Sequence, residues 1–493
     1  MRGTVAAVVA VACAALAGAS CRDGPKGGTL ARIQARGVLV WGGDRQGGEP
    51  YIYEDPSDPD KVRGFEVDIM DAIGRRLGVR AEFEQAEWSK LVDALERGDF
   101  DIAMNGIEAT AERADRMLLS RPYFIYAETL AVRTGSPYKS LADLAGKRVA
   151  TLNQTYAYDM LRDAGNIDIA AYEGTEEPYL DLAAGRVDAV LMDNIIADRY
   201  GCKREGVACI PGELAKGTYV IGIRKSDPEL AAAIDGALDA MIADGELERI
   251  LRAANLWDAN QTQPPPPIPK GSVRSRSFDM TQLYLFARAA LLTLLLSIGA
   301  FAIAIPLGAL LAIGRVYGGP VSRAAARFYI ELFRGTPVLL QLYVIYFGLA
   351  PYYALGPIEA GIIGLGLNYG AYEAEVYRGA LLAIPRGQAE AARALGMGPW
   401  MTLRHVMLPQ AMRLALPPMT NDFVSMLKDS SLVSTLAVVE LTKRMTILGA
   451  DLRSWLVPGL ACAAFYLALS FPLSELARRL ERRLARDQRP HTL

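Results

Sequence analysis

The stretch Thr262-Gln263-Pro264-Pro265-Pro266-Pro267-Ile268-Pro269-Lys270-Gly271 divides the chain into two parts of different character. Five prolines in six positions fix φ and remove backbone donors, so the run is a stiff, extended spacer and marks a domain boundary. The linker occupies residues 261–277. Before it, residues 29–260 alternate short β-prone runs with segments of helical spacing. After it, residues 278–484 are dominated by long apolar runs.

Charge separates the same two parts. Of the 493 residues, Ser277 to Leu493 contribute 20 Lys and Arg against 13 Asp and Glu, whereas the preceding stretch carries 33 against 42. An acidic front and a basic back fit an exported domain joined to a membrane domain with cytoplasmic loops. The basic residues are scattered around apolar spans instead of lining one polar face, which argues against nucleic acid as a partner.

In the front part, Gly37-Val38-Leu39-Val40-Trp41, Ala81-Glu82-Phe83-Glu84, Phe100-Asp101-Ile102-Ala103-Met104, Arg148-Val149-Ala150-Thr151-Leu152 and Val187-Asp188-Ala189-Val190-Leu191 read as strands. Val67 to Leu77 and Trp88 to Arg97 have helical spacing. Strands alternating with helices predict an α/β domain with a largely parallel sheet, whose ligand sits at the carboxyl ends of the strands.

The back part offers five candidate spans: Leu283 to Ile313, Pro337 to Gly356, Ile358 to Ile384, Leu414 to Val439 and Leu456 to Leu476. Each is near the roughly 20 residues that cross ~30 Å of hydrocarbon. Arg315, Arg323, Arg327 and Arg334 follow the first span, and Arg386, Arg393, Arg404 and Arg413 follow the third. Arg478, Arg479, Arg482, Arg483, Arg486 and Arg489 follow the fifth. Positive charge gathers on the inner side, so the front domain is expected outside and the C-terminus in the cytoplasm. Lys443, Arg444 and Arg453 fall on the outer side and run against that rule.

The N-terminal MRGTVAAVVAVACAALAGASC, residues 1–21, has one early Arg, a short apolar run and small residues before Cys21, the pattern of a secretory signal. Gly18-Ala19-Ser20-Cys21 resembles a bacterial lipoprotein cleavage site, which implies lipidation of Cys21; ordinary cleavage and an uncleaved anchor are the alternatives. Cys13 and Cys462 lie in apolar segments. Cys202 and Cys209 flank a polar, Gly-containing loop, a spacing that suits a local disulfide in an exported domain.

The motifs carry the function. Glu49-Pro50-Tyr51, Arg63-Gly64-Phe65-Glu66-Val67-Asp68-Ile69, Trp88, and Asn105-Gly106-Ile107-Glu108-Ala109-Thr110-Ala111-Glu112-Arg113 resemble the amino-acid-binding proteins of bacterial ABC importers. Ser120-Arg121-Pro122-Tyr123 and Gly185-Arg186-Val187-Asp188-Ala189-Val190 extend the likeness over nearly all of residues 30–257. The resemblance implies two α/β lobes joined by a hinge that close on one amino acid. It assigns Arg113 to the ligand carboxylate, a task that suits a guanidinium because it donates two parallel bonds. It assigns Asp193 to the ammonium, Thr155 to the carboxylate from the second lobe, Tyr51 and Trp88 to aromatic walls, and Gly106 to a close backbone approach. Glu108 and Gln154 depart from the family, where Thr or Ser and Gly are usual. Glu108 either adds an acceptor for the ammonium or a basic side chain, or turns outward. Asp44 either contacts the ligand side chain or caps the loop that follows it.

The membrane part resembles the permease subunits of polar amino acid importers. Phe333-Arg334-Gly335-Thr336-Pro337, Ala371-Tyr372-Glu373-Ala374-Glu375-Val376-Tyr377-Arg378-Gly379 and Leu427-Lys428-Asp429-Ser430-Ser431-Leu432 carry the likeness, together with Glu390 to Pro409. In that family the last stretch forms a coupling helix that enters a cleft on a cytoplasmic ATPase subunit. Glu390 at a helix start suits the dipole, Ala391 and Ala392 allow close approach, and Gly396 permits the sharp turn before Leu408 and Pro409. Glu373 and Glu375, at membrane depth, read either as pathway residues or as helix packing.

No phosphate-binding Gly-x-x-x-x-Gly-Lys-Ser/Thr loop occurs in the sequence, so this chain carries no cofactor and the ATP is used by a partner. The expected fold class is multidomain: a two-lobed α/β binding-protein fold followed by an all-α transmembrane permease domain of about five helices. The expected function is the fused receptor and permease of an importer of a polar or charged amino acid. It would sit in the bacterial inner membrane, act as a permease homodimer and be driven by an ATPase dimer. A ligand-gated channel needs a selectivity-filter loop that the sequence lacks. An exported dehydratase on the same fold leaves the membrane domain without a purpose.

Overall fold

The computed structural model describes residues 28–268, 278–350, 352–353, 355–452 and 454–487. The signal segment with Cys13 and Cys21, residues 269–277 of the linker, Arg453 and Arg489 lie outside the described residues. The chain forms two compact units. One holds the residues up to Ile125 together with those from Gly217 to the linker, and the other holds Tyr126–Lys216 and the residues after the linker. Each lobe of the front domain thus belongs to a different unit. The chain passes between them within the strands Phe124–Arg133 and Lys216–Tyr219.

In the first lobe a five-stranded sheet runs in the order Arg80–Gln85, Val38–Gly43, Ile102–Ala103, Gly222–Arg224, Met117–Leu119. Helix Phe65–Leu77 covers it. Phe65, Ile69 and Ile73 recur at helical spacing and are fully buried, worth about 1.5–3 kcal/mol each. Glu66 and Asp68 in its first turn and Arg75 and Arg76 in its last complement the helix dipole. Gly78 at φ +73 ends the helix in the left-handed conformation that glycine adopts without strain.

The second lobe orders its sheet Val207–Cys209, Phe124–Arg133, Ala189–Asp193, Arg148–Leu152, Asp168–Tyr172. The expectation of a largely parallel sheet needs correction. Val38–Gly43 is parallel to both of its neighbours, and Arg148–Leu152 to both of its own. Gly222–Arg224 and Phe124–Arg133, however, pair antiparallel with every neighbour that flanks them in the two strand orders. A strand that enters a lobe by crossing from the other need not follow a right-handed helix crossover, so nothing forces it parallel. Cys202 and Cys209 form the expected disulfide, with Cα atoms 5.2 Å apart.

The membrane part is helical. Met280–Tyr317 and Leu456–Arg479 are long and apolar enough to span a bilayer. Asp279 caps the first of these by accepting from the backbone N–H of Gln282. Met280–Tyr317 packs along Pro357–Ala383 through small residues. Ala300, Ala304 and Gly308 present a buried small stripe at four-residue spacing. A Cβ on Gly308 would lie 2.7 Å from Cβ of Glu373, and one on Gly366 2.8 Å from Cβ of Ile303. Glycine here lets two backbones approach where lipid supplies no hydrophobic drive.

Two expected spans differ. Pro337 to Gly356 is not one helix: Val338–Tyr343 continues as a π-turn only to Gly348, an apolar helix too short to span alone. A separate amphipathic helix, Pro320–Gly335, precedes it. The fourth span starts earlier, at Leu408, and ends at Asp429, where the chain tightens into a 3-10 turn over Ser430–Leu436. Glu375 pairs with Arg315 of the neighbouring helix and with Arg378 of its own. Glu373 is fully buried.

Candidate functional site

In the first lobe Thr110 starts a short helix, Ala111–Ala114, and its hydroxyl accepts from the Arg113 N–H at 3.2 Å. Arg113 Nη1 donates to the backbone oxygen of Glu108 and to its Oε2, each at 2.9 Å. The Trp88 ring lies beneath the guanidinium, with Cζ 5.2 Å from the ring centroid, within cation–π range. The two paired side chains are 11% and 5% exposed, so their attraction is weakly screened and the guanidinium is fixed in place. Glu108 therefore turns inward onto Arg113.

Asp44 is buried and acts as a cap. It accepts from the backbone of Gln46 at 2.9 Å and of Trp88 at 2.7 Å, and from Gln85 Nε2 at 3.0 Å. It thereby holds the indole position as well as its own loop. Gly106 takes φ +59, where an added Cβ would meet the Tyr51 ring at 3.0 Å. Its N–H donates to Glu66 Oε1 at 2.6 Å, and the same oxygen accepts from the Tyr123 hydroxyl at 2.5 Å. Burial pushes the Glu66 carboxyl up to about 7, against the pull of the Tyr123, Gly106 and Asn105 hydrogen bonds. Tyr51 is itself buried, packed on Phe65 and Tyr219, with its hydroxyl 2.9 Å from that of Tyr219.

In the second lobe Thr155 and Asp193 lie just past, or at, the carboxyl ends of two adjacent parallel strands, the position at which such sheets bind ligands. Both cap helices. Thr155 accepts from the N–H of Tyr158 at 3.2 Å and donates to the Leu152 carbonyl at 2.9 Å, and Asp193 accepts from the N–H of Ile196 at 2.9 Å. Gln154 adopts φ +59, a left-handed geometry natural to glycine, which gives the departure at this position a backbone meaning.

Glu66, Tyr123 and Tyr219 carry the frame of the first-lobe site and had no role in the sequence reading. Glu66 could have been found, because with Met70 and Ile73 it falls on the apolar stripe of its helix, where an acid needs a partner. Tyr219 gave no signal, as its partner Tyr51 is far away along the chain.

The stretch Glu390 to Pro409 is helical on both sides of a turn. The helix runs Arg386–Ala394, so Glu390 sits beyond the first turn. The helix-start argument for Glu390 is thus corrected, since a dipole acts within the first turn. Ala392 is buried and Ala391 exposed, while Ala389 packs against the cluster that holds Leu403 and Met407. Gly396 takes φ +82, the sharp turn its position called for; the chain is helical again over Pro399–Thr402 and a π-turn over Leu403–Met407, and Leu408 opens the helix that follows with Pro409 in its first turn. Leu395 and Trp400 project from this turn, 83% and 67% exposed.

Residues 41–254 match the bacterial extracellular solute-binding proteins, family 3, and residues 304–486 match the binding-protein-dependent transport system inner membrane component. The glutamine transport system permease protein GlnP of Escherichia coli (strain K12) is 38% identical over 215 residues, which cover 42% of this chain and 98% of that one. The L-cystine transport system permease protein TcyB of Bacillus subtilis (strain 168) is 40% identical over 161 residues, 32% of this chain and 68% of that protein. An ancestral arginine-binding protein bound to glutamine aligns with 45% of this chain and 99% of its own, at 30% identity and a TM-score of 0.42. Both curated relatives are transport system permease proteins, and the chain belongs to the binding-protein-dependent inner membrane transport components, with a family 3 solute-binding domain fused ahead of its permease domain.

Proposed function

We propose that this chain is the receptor and the permease of an ABC importer for a polar or charged amino acid. The observation that carries the reading is the presence of both domains in one polypeptide, with relatives named for glutamine and cystine transport. In the receptor, Arg113 takes the ligand carboxylate, with Trp88 as the wall beside it and Gly106 offering backbone. Asp193 takes the ammonium and Thr155 adds a second-lobe contact. Glu108 tunes the charge that the ligand meets at Arg113.

The receptor lies outside the inner membrane and the Glu390–Pro409 turn lies in the cytoplasm, where a separate ATPase dimer grips it. Lys443 supports this orientation. Its outward charge ran against the positive-inside rule, yet its Nζ lies 3.1 Å from Oε1 of Glu173 in the second receptor lobe. A Lys that pairs with an exported acid has a reason to be outside. Two copies of the chain form the permease, which brings two receptors to each transporter. The test is ATP-dependent uptake of labelled amino acids into vesicles containing this chain and its ATPase. Ion current without an ATPase would favour the channel reading and sink this one.

A further inference from the structure

Arg186 belongs to a motif that the ligand site leaves unused. Its Nη1 donates to Asp181 Oδ1 at 2.9 Å, and both side chains are almost wholly buried, 4% and 1% exposed. What buries them includes a residue of the membrane domain. Tyr346, in the turn Val344–Gly348, is fully buried and donates its hydroxyl to Asp181 Oδ2, which also accepts from Tyr172. Arg186 Nη2 donates in return to the Tyr346 carbonyl at 2.7 Å, with its guanidinium 3.9 Å from the centre of the Tyr346 ring. A second contact is the Lys443–Glu173 pair. Glu440 accepts the backbone N–H of Lys443 at 2.8 Å.

We propose that Tyr346 and Lys443 form the seat on which the second receptor lobe docks to the permease of its own chain, and that Glu173 ties the seat to the ligand loop. This rests on the receptor–permease reading above. Asp181 and Arg186 pair with each other, and Tyr346 adds a neutral donor, a neutral acceptor and a ring face. Leaving Tyr346 therefore breaks no ion pair, because water can replace the hydroxyl and carbonyl while the Asp181–Arg186 pair persists; only the Lys443–Glu173 pair is parted, and both of its charges then meet water. Such a contact is specific and still releasable. The Lys443–Glu173 pair sets the orientation, as charge pairs at an interface do. Glu173 Oε1 also accepts from Asn153 Nδ2 at 3.4 Å, two residues before Thr155. One oxygen thus touches both the membrane domain and the loop assigned to the ligand.

The test uses the full chain with its ATPase in vesicles. Lys443→Glu is expected to slow uptake about tenfold while leaving amino acid affinity within about twofold, and adding Glu173→Lys is expected to restore most of the uptake. Should Lys443→Glu fail to fold, Tyr346→Phe provides the independent arm. It is expected to lower amide-exchange protection of Glu177–Ala183 and to slow uptake without changing affinity. A charge swap no better than the single variant, or unaltered uptake and protection in Tyr346→Phe, would overturn the seat. Absence of amino acid binding by the unaltered chain would instead overturn the receptor reading.

Discussion

Arg113 Nη1 is bonded to both the backbone oxygen and the carboxylate of Glu108, each at 2.9 Å, so the proposed anchor for a ligand carboxylate is already held by an acid. Arg113→Ala leaves that acid buried without its cation and removes the bidentate donor. Amino acid affinity is expected to fall by about a hundredfold or more, and Arg113→Lys, which keeps charge without the fork, by about tenfold. Calorimetry on the full chain in detergent checks both, and unchanged affinity in Arg113→Ala removes this residue from the site.

Glu108→Gln keeps the backbone oxygen as a partner and removes the competing negative charge. Affinity for a neutral amino acid is expected to rise about three- to tenfold, and affinity for a cationic one to fall. Paired titrations with one ligand of each kind decide the point; equal shifts for both would contradict it.

Glu66 makes the first lobe pH-sensitive. Its carboxyl moves from 4.5 in the unfolded chain to about 7 in the folded one, so within that window the folded state holds a proton that the unfolded state has released. The stabilising contribution is complete below pH 4.5 and is lost as pH rises through about 7, some ~3 kcal/mol across the window. Exchange protection in Phe65–Leu77, corrected for intrinsic rates, is expected to fall over that range in the parent protein and to stay level in Glu66→Gln.

Gly106 and Gly37 separate two costs of adding a Cβ. Both have positive φ, but at Gly37 nothing lies within 4 Å, whereas at Gly106 the Tyr51 ring stands at 3.0 Å. Gly37→Ala is expected to cost about 1–2 kcal/mol of strain alone. Gly106→Ala is expected to cost more, to displace Tyr51 and to weaken ligand binding. Equal stability losses with intact binding would take Gly106 out of the ligand's surroundings.

Gly396→Pro demands φ near −65° where the turn needs +82. Uptake and ATPase stimulation are expected to collapse while amino acid binding persists. Normal transport in this variant would count against the turn as the coupling element.

Residues whose partners are near in sequence were legible, and those whose partners are distant were not. Arg148–Leu152 was readable as a strand because Val149, Ala150 and Leu152 sit on a sheet buried on both faces. The Cys202–Cys209 loop and the Gly396 turn are likewise local matters. Pro337 to Gly356 misled because an apolar window counts composition, not continuity, and the helix stops at Gly348. Arg113 was read as a contact for the ligand carboxylate, but its pairing with Glu108 was not foreseen, since Glu108 was read either as an acceptor for the ligand or as turned outward. The Glu66–Gly106–Tyr123 and Tyr51–Tyr219 contacts bring together residues remote in the chain, which periodicity cannot register.

The run Pro264–Pro267 has a kinetic meaning as well as an architectural one. A receptor that diffuses freely meets its permease at a rate set by how much of it the cell makes. On the proposed docking at Tyr346, a lobe carried on the same polypeptide returns in a first-order step, at an effective concentration fixed by the length and stiffness of the spacer instead of by receptor supply. A contact with a Kd near that effective concentration stays usefully occupied, so the proposed grip need not be tight. Receptor supply then cannot be raised apart from permease supply: each copy gains one catcher, and uptake at low solute scales with the number of transporters alone.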